Sequence, residues 1–228
     1  MSRRSSFLCG FLICAAFLAA LVLHAQSSDQ NPIIPTITFV RLWEAYTPQE
    51  VTITLQSAGT ATYRSRNPLK APDPDSDPDY STNFTMSAPN RDKLFRYAKE
   101  ANYFDGDFGF KKHVVSSTGK KTLTYADPVR HFETAYDYSE NKAIQEITNI
   151  FQGISNTIEQ GRKLQFLRRF DKLGLEAELK GMENAMEGHN LAELQLIAPI
   201  LESIANDPAI LNIARQRAKR ILAKSASE

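Results

Sequence analysis

Cysteine is almost missing from this chain: 228 residues hold two, Cys9 and Cys14, both within the first 25 positions. Once that stretch is removed, no disulfide, thiolate metal site or cysteine nucleophile remains. Histidine is nearly as scarce. His113, His131 and His189 are the only ones beyond position 25, and no two are spaced closely enough to begin a zinc site. No Gly-x-Ser-x-Gly elbow accompanies them, so a serine-hydrolase triad has no sequence anchor. A phosphate-cradling glycine loop is absent too. Gly106-Asp107-Phe108-Gly109 follows no clear strand and has no Lys-Ser/Thr sequel. Charge of one sign is also lacking, since 27 Lys and Arg face 26 Asp and Glu. Losing Arg3 and Arg4 takes the formal charge from +1 to about −1, so there is no bulk basic footprint for nucleic acid.

Long apolar runs are confined to one place. Arg3 and Arg4 precede the run Phe7 to Leu23, which ends in Leu23-His24-Ala25 before the polar stretch Gln26 to Gln30. That layout predicts a secretory signal peptide over 1–25, with Ala25 the last residue removed. Its run of about 17 residues falls just short of a comfortable span, so an uncleaved N-terminal membrane anchor is the alternative. Bulky Leu8 and Ile13 precede the two cysteines, which argues against a lipid-modified cysteine. No later segment reaches the length of a span. An exported chain without disulfides must rely on its core, and about 200 residues suffice for one or two.

Along the rest of the chain, periodicity changes once. After a polar leader over 26–35, Thr36 to Trp43 is β-rich, and Val51, Ile53 and Leu55 alternate with Thr52, Thr54 and Gln56. Ser57-Ala58-Gly59 turns the chain into Thr60 to Arg66, completing a hairpin. Asn67 to Asp79, with four prolines and four aspartates, reads as a stiffened exposed loop. Tyr80 to Met86 is a further strand. Ser87 caps a helix with Pro89 in its first turn and Leu94, Phe95, Ala98 and Ala101 on its apolar stripe. A meander follows: His113 to Ser117, Lys121 to Tyr125 and His131 to Tyr136.

From Ser139 the period becomes helical. Ile144, Ile147, Phe151, Ile154 and Ile158 line one helix, with Gly161 as its stop. Leu164, Leu167, Phe170 and Leu173 line the next, before Gly174. Leu175, Leu179, Met182 and Met186 line a third, before Gly188, and Leu191, Leu194, Ala198, Leu201 and Ile204 a fourth. Asp207 with Pro208 begins a fifth, continued by Leu211, Ala214, Ala218, Ile221 and Leu222. The expected fold is therefore α+β: an antiparallel sheet with a helix packed on it over 36–160, then an all-helical half over 161–228.

The Gly59-Thr60-Ala61-Thr62-Tyr63 hairpin, the helix after it and the Gly119-Lys120-Lys121-Thr122-Leu123 hairpin resemble a group of exported bacterial proteins with no assigned activity. That likeness implies export and this fold, and carries no site residue. Ala198-Pro199-Ile200-Leu201, Asp207-Pro208 and Ala214-Arg215 resemble a single HEAT-type helix pair, though the Asp-Pro to Ala-Arg spacing departs from the usual one. Such arrays bury a continuous core only by stacking several units, and here there are at most two.

Several clusters admit both a chemical reading and a plainer one. His113 and His131 can meet across the meander, but their neighbours Lys111, Lys112, Arg130 and Glu133 describe a solvated face. His189 follows Gly188 between helices and reads as a loop residue. Asp73, Asp75 and Asp77 have the alternation of a calcium loop, yet Pro78 stands where glycine is needed and Phe84 where the bidentate glutamate belongs. Asp105-Gly106-Asp107 reads as a turn. Phe95, Tyr97, Tyr103, Phe104, Phe108 and Phe110 make either a binding platform or a seal between helix and sheet. Arg215, Arg217, Lys219, Arg220 and Lys224 give the last helix a basic face, for an anionic surface, an acidic partner or solvent. Asn83-Phe84-Thr85 is a glycosylation sequon, relevant only in a eukaryote.

No residue is assigned a catalytic, cofactor-binding or metal-binding role, and no cofactor is expected. The expectation is a non-enzymatic exported protein of the periplasm or cell exterior that binds another envelope protein or polymer, with no nucleic acid and no membrane span after cleavage. The alternative is a hydrolase with a non-contiguous carboxylate site between the two halves.

Overall fold

The structure, a computed structural model, describes residues 34–68, 79–112 and 117–225. The expected signal peptide over 1–25, Asp73, Asp75 and Asp77 of the expected acidic loop, and His113 with most of its expected strand lie outside the described residues. The described residues belong to one compact unit running from Pro32 to Glu228.

Six strands form a single sheet: β1 (Thr36–Leu42), β2 (Glu50–Gln56), β3 (Thr60–Arg66), β4 (Tyr80–Thr85), β5 (Lys120–Ala126) and β6 (His131–Tyr136). Their spatial order is β4-β3-β2-β1-β5-β6, antiparallel throughout. The period-two pattern fixes which face is buried: Ile37 and Phe39, Val51, Ile53 and Leu55, Ala61 and Tyr63, and Leu123 and Tyr125 all point to one side. Threonines crowd the other. Thr62, Thr54, Thr38 and Thr124 stand in one lateral row, β-branched residues suited to a half-exposed pleat.

Helices α1 (Ala88–Glu100) and α2 (Lys142–Phe170) cover the apolar face. The Asn141 side chain caps α2 by accepting from the Ile144 N–H at 3.1 Å. Along α2, Ile144, Ile147, Phe151 and Ile154 enter the sheet core, where Phe151 stacks on Phe39 with centroids 5.3 Å apart. Past Ile158 the same helix serves a second core, beginning with Leu164. That core is completed by α3 (Leu175–Glu187), a 3-10 turn over Leu194–Ile197, α4 (Ala198–Ala205) and α5 (Asn212–Ser225).

Two expected boundaries move. Gly161 does not stop a helix, because α2 runs through it to Phe170. Its missing Cβ instead admits Ile197, whose Cγ2 would lie 2.4 Å from a Cβ there. Asp207 caps a single turn, accepting from the Ala209 N–H at 2.9 Å, and the last helix starts later, at Asn212.

Two glycines on helices therefore predict opposite signs. Gly161→Ala is expected to cost about 1–2 kcal/mol, overpacking against Ile197 outweighing the helix-propensity gain. Gly181→Ala, on α3 with nothing within 4 Å of its Cβ position, is expected to stabilise by about 0.5–1 kcal/mol. Urea titration of the two variants measures both.

Candidate functional site

At one end of the sheet, the chain brings polar groups onto the buried face. The lateral row Ser65, Val51, Arg41, Lys121 crosses four strands, and Arg41 and Lys121 stand side by side in register. Both cations are buried. Lys121 Nζ donates to the carbonyls of Gly119 at 2.9 Å and Asp137 at 2.8 Å, and to Thr118 Oγ1 at 2.9 Å. Arg41 Nη2 donates to the Pro48 carbonyl at 3.3 Å, while its Nε has no partner among the described residues. Burial pulls both groups below their ordinary pKa values.

In front of them stands Glu159 of α2. Its Oε1 accepts from the Tyr63 hydroxyl at 2.6 Å and the Ser65 hydroxyl at 2.9 Å, and its Oε2 pairs with Arg162 Nη1 at 2.8 Å. Tyr63 and Ser65 share the inward face of β3, which α2 crosses, so strand alternation and one helical turn suffice to build the cluster. Burial, then the charge and hydrogen bond of Glu159, push the Tyr63 phenol far above its ordinary value. Burial does the same to Tyr136, whose hydroxyl lies 2.5 Å from Thr148 Oγ1.

A phenol with a raised folded-state pKa contributes stability that is complete below the unfolded value and lost as pH rises. Stability is therefore expected to fall above about pH 10, where unfolded tyrosines ionise and these two do not. Tyr136→Phe is expected to reduce that slope, measured by denaturant titrations between pH 9 and 11. Equal slopes in the two proteins would refute the assignment.

The Glu159 cluster floors a cleft of about 650 Å³ between β3, β4 and the C-terminal half of α2. Four cations line it, Arg66, Arg162, Lys163 and Arg169, against one carboxylate among the lining residues, Glu159. Arg66 is held by Glu50 in a bidentate pair, Lys163 by Glu178, and the Arg162 guanidinium lies 4.4 Å over the Tyr80 ring. Arg169 rests 5.0 Å from the Phe170 ring centroid and makes no ion pair among the described residues. Two large rings close the outer wall: Phe166 and Phe170, 59% and 64% exposed, touch at 5.0 Å between centroids. Leu173 beyond them is exposed as well. Aromatic and arginine side chains thus stand beside a concave floor, and three of its four cations, Arg66, Arg162 and Lys163, are already paired with carboxylates.

The residues singled out from sequence fall elsewhere. His131 is exposed at the start of β6, and His189 sits in a loop at a left-handed φ of 54°. Asp107 accepts from the Gly109 N–H at 3.0 Å and pairs with Lys111, as a turn would. The aromatics of α1 and of the segment after it are mostly a seal: Phe104 is buried, and Phe95, Tyr97, Tyr103 and Phe108 pack against the sheet core. The basic face of α5 is partly neutralised, at Arg217 and Arg220. Arg217 pairs with Glu176 at 3.1 Å and with Glu183, and Arg220 pairs with Glu183 at 2.8 Å, all acids of α3. Burial pushes Glu183 up, but hydrogen bonds from Arg220 and Arg217 outweigh it and hold the carboxyl below its ordinary range.

The cleft is not legible in the sequence, because its walls come from residues 47–48, 65–67, 80 and 159–170. One signal was present. Phe166 and Phe170 stand four residues apart on one helix face, among Arg162, Lys163 and Arg169. Among the described residues no group of three or more His, Cys, Asp or Glu is placed to hold a metal ion, and no helix is long and apolar enough to cross a membrane. No family model matches the chain, and no curated protein does.

Proposed function

We propose that this is an exported, non-enzymatic binding protein of the periplasm or cell exterior. It holds an acidic segment of another envelope protein or polymer in the cleft beside the C-terminal half of α2. The observation that carries this reading is the pairing of two exposed, touching rings, Phe166 and Phe170, with four cations around a concave floor. An exposed apolar patch with a charged rim is what marks an interaction site on a soluble protein. Arg169 supports it further, being unpaired by any carboxylate among the described residues. The export half of the reading rests on the Arg3-Arg4, Phe7 to Leu23 and Ala25 layout of the N-terminus. A glycosidase-type hydrolase needs two carboxylates across the scissile bond, and Glu159 is already bonded to Tyr63, Ser65 and Arg162.

Chemical crosslinking in cells, followed by purification of the full chain from the envelope fraction, tests the proposal. A dominant partner rich in acidic residues is expected, lost from Arg169→Glu/Phe170→Ser and kept by Lys219→Glu on α5. Equal recovery from all three proteins would overturn it.

A further inference from the structure

The cleft continues along an edge of the sheet. Strand β4 pairs with β3 on one side, residue for residue from Ser65↔Tyr80 to Thr60↔Thr85, and on the other it has no backbone partner among the described residues. It is also the one strand in which no residue is buried; its exposure alternates from Tyr80 to Thr85. The devices that usually blunt an edge are missing from Tyr80-Ser81-Thr82-Asn83-Phe84-Thr85: no proline, no charge and no bulge in the register. The opposite edge, β6, is treated differently. The Phe110 N–H donates to the Tyr138 carbonyl at 2.9 Å just past it, and a Cβ on Gly109 would come 3.9 Å from the Ala135 carbonyl.

On the helix side of β4, Tyr80, Thr82 and Phe84 line a groove of about 240 Å³ against α2 and α4. Phe84, Ile197, Pro199 and Ile200 line the groove but not the cleft. At its Tyr80 end it opens into the cleft, because Tyr80, Arg162 and Gln165 line both. A chain laid along β4 thus meets apolar surface at one end and cations at the other. Side chains of an extended strand that share a face recur every roughly 6.8 Å, so Phe84 to Tyr80 spans two such steps.

Resting on the cleft reading above, we infer that the partner's acidic segment is an extended peptide that adds to β4 as a seventh, antiparallel strand. Unpaired N–H and C=O groups of β4 supply the affinity, and the two-ended groove supplies register and direction. Antiparallel addition places the N-terminal side chains of the peptide over Phe84 and Ile200. It sends the C-terminal ones toward Arg162 and Arg169, so the recognised pattern is apolar residues at alternate positions followed by acids at alternate positions.

The test uses a fluorescein-labelled heptapeptide, valine-threonine-valine-threonine-aspartate-threonine-aspartate, and two backbone-methylated forms, one at alternate amides and one at the complementary set. Only one set of amides faces β4, so anisotropy is expected to show at least tenfold weaker binding for one form and unchanged binding for the other. Hydrogen exchange is expected to slow at alternate amides of residues 80–85 when the unmethylated peptide binds. Equal binding of both methylated forms, lost in Arg169→Glu, would overturn strand addition and leave the cleft reading intact. No binding of the unmethylated peptide at millimolar concentration would overturn strand addition, while the crosslinking result judges the cleft separately.

Discussion

Glu193→Ala lowers the free energy of unfolding by about 2–4 kcal/mol, a large loss for a polar residue. The carboxylate is 1% exposed and accepts four hydrogen bonds. Oε2 takes the Ser87 N–H at 2.8 Å and the Gln195 amide, and Oε1 takes the Ser87 hydroxyl and the Asn90 amide, each at 2.6 Å. Ser87 is the N-cap residue of α1 but makes no side-chain cap bond of its own, so an acid 106 positions away does the capping. A negative charge there is also favoured by the helix dipole. Alanine would take the acceptor from the Ser87 N–H and from the half-buried Ser87 and Asn90 side chains, while the exposed Gln195 amide can turn to water. Glutamine keeps the volume and one acceptor oxygen but turns an amide toward the Ser87 N–H and Gln195, so about 2 kcal/mol is still expected to be lost. Urea denaturation checks both variants. A loss below about 1 kcal/mol for alanine would mean that the carboxylate is not structural.

The second large effect concerns binding. Arg169→Glu/Phe170→Ser is expected to weaken partner binding by a factor of about 100 to 1,000, or roughly 3–4 kcal/mol. Truncating a central aromatic anchor commonly removes about 2 kcal/mol, and reversing a charge facing an acidic segment adds a repulsion. Both side chains are exposed, so stability should move by no more than about 0.5 kcal/mol per substitution. Titration of the crosslinked partner, purified, against the two proteins gives the ratio. Added salt should weaken the wild type more than the variant, because only the wild type presents that charge.

The sequence carried the fold well where one period dominates. Val51, Ile53 and Leu55 point inward as their alternation requires, and the helical half begins where the period changes. It failed where one residue type serves two purposes. Glycine ends helices, and Gly174 and Gly188 do flank α3, yet Gly161 sits within α2 for the sake of Ile197. Nothing local separates those cases, since the deciding atom lies 36 residues away. The apolar stripe past Gly161 misled in the same manner. Leu164 is buried, but Phe170 and Leu173 on the same stripe are exposed, because α2 outruns the core it serves. Glu193 in Leu191-Ala192-Glu193-Leu194 looks like any surface acid, and the Glu176 and Glu183 partners of α5 lie on another helix.

A photo-crosslinking amino acid at position 166, compared with one at Thr124 on the open sheet face, reports in living cells whether the α2 cleft holds a partner. One covalent adduct with an acidic partner is expected from position 166, abolished by Arg169→Glu, and none from Thr124. Adducts from Thr124 alone, or an adduct at position 166 indifferent to Arg169, would contradict binding in that cleft.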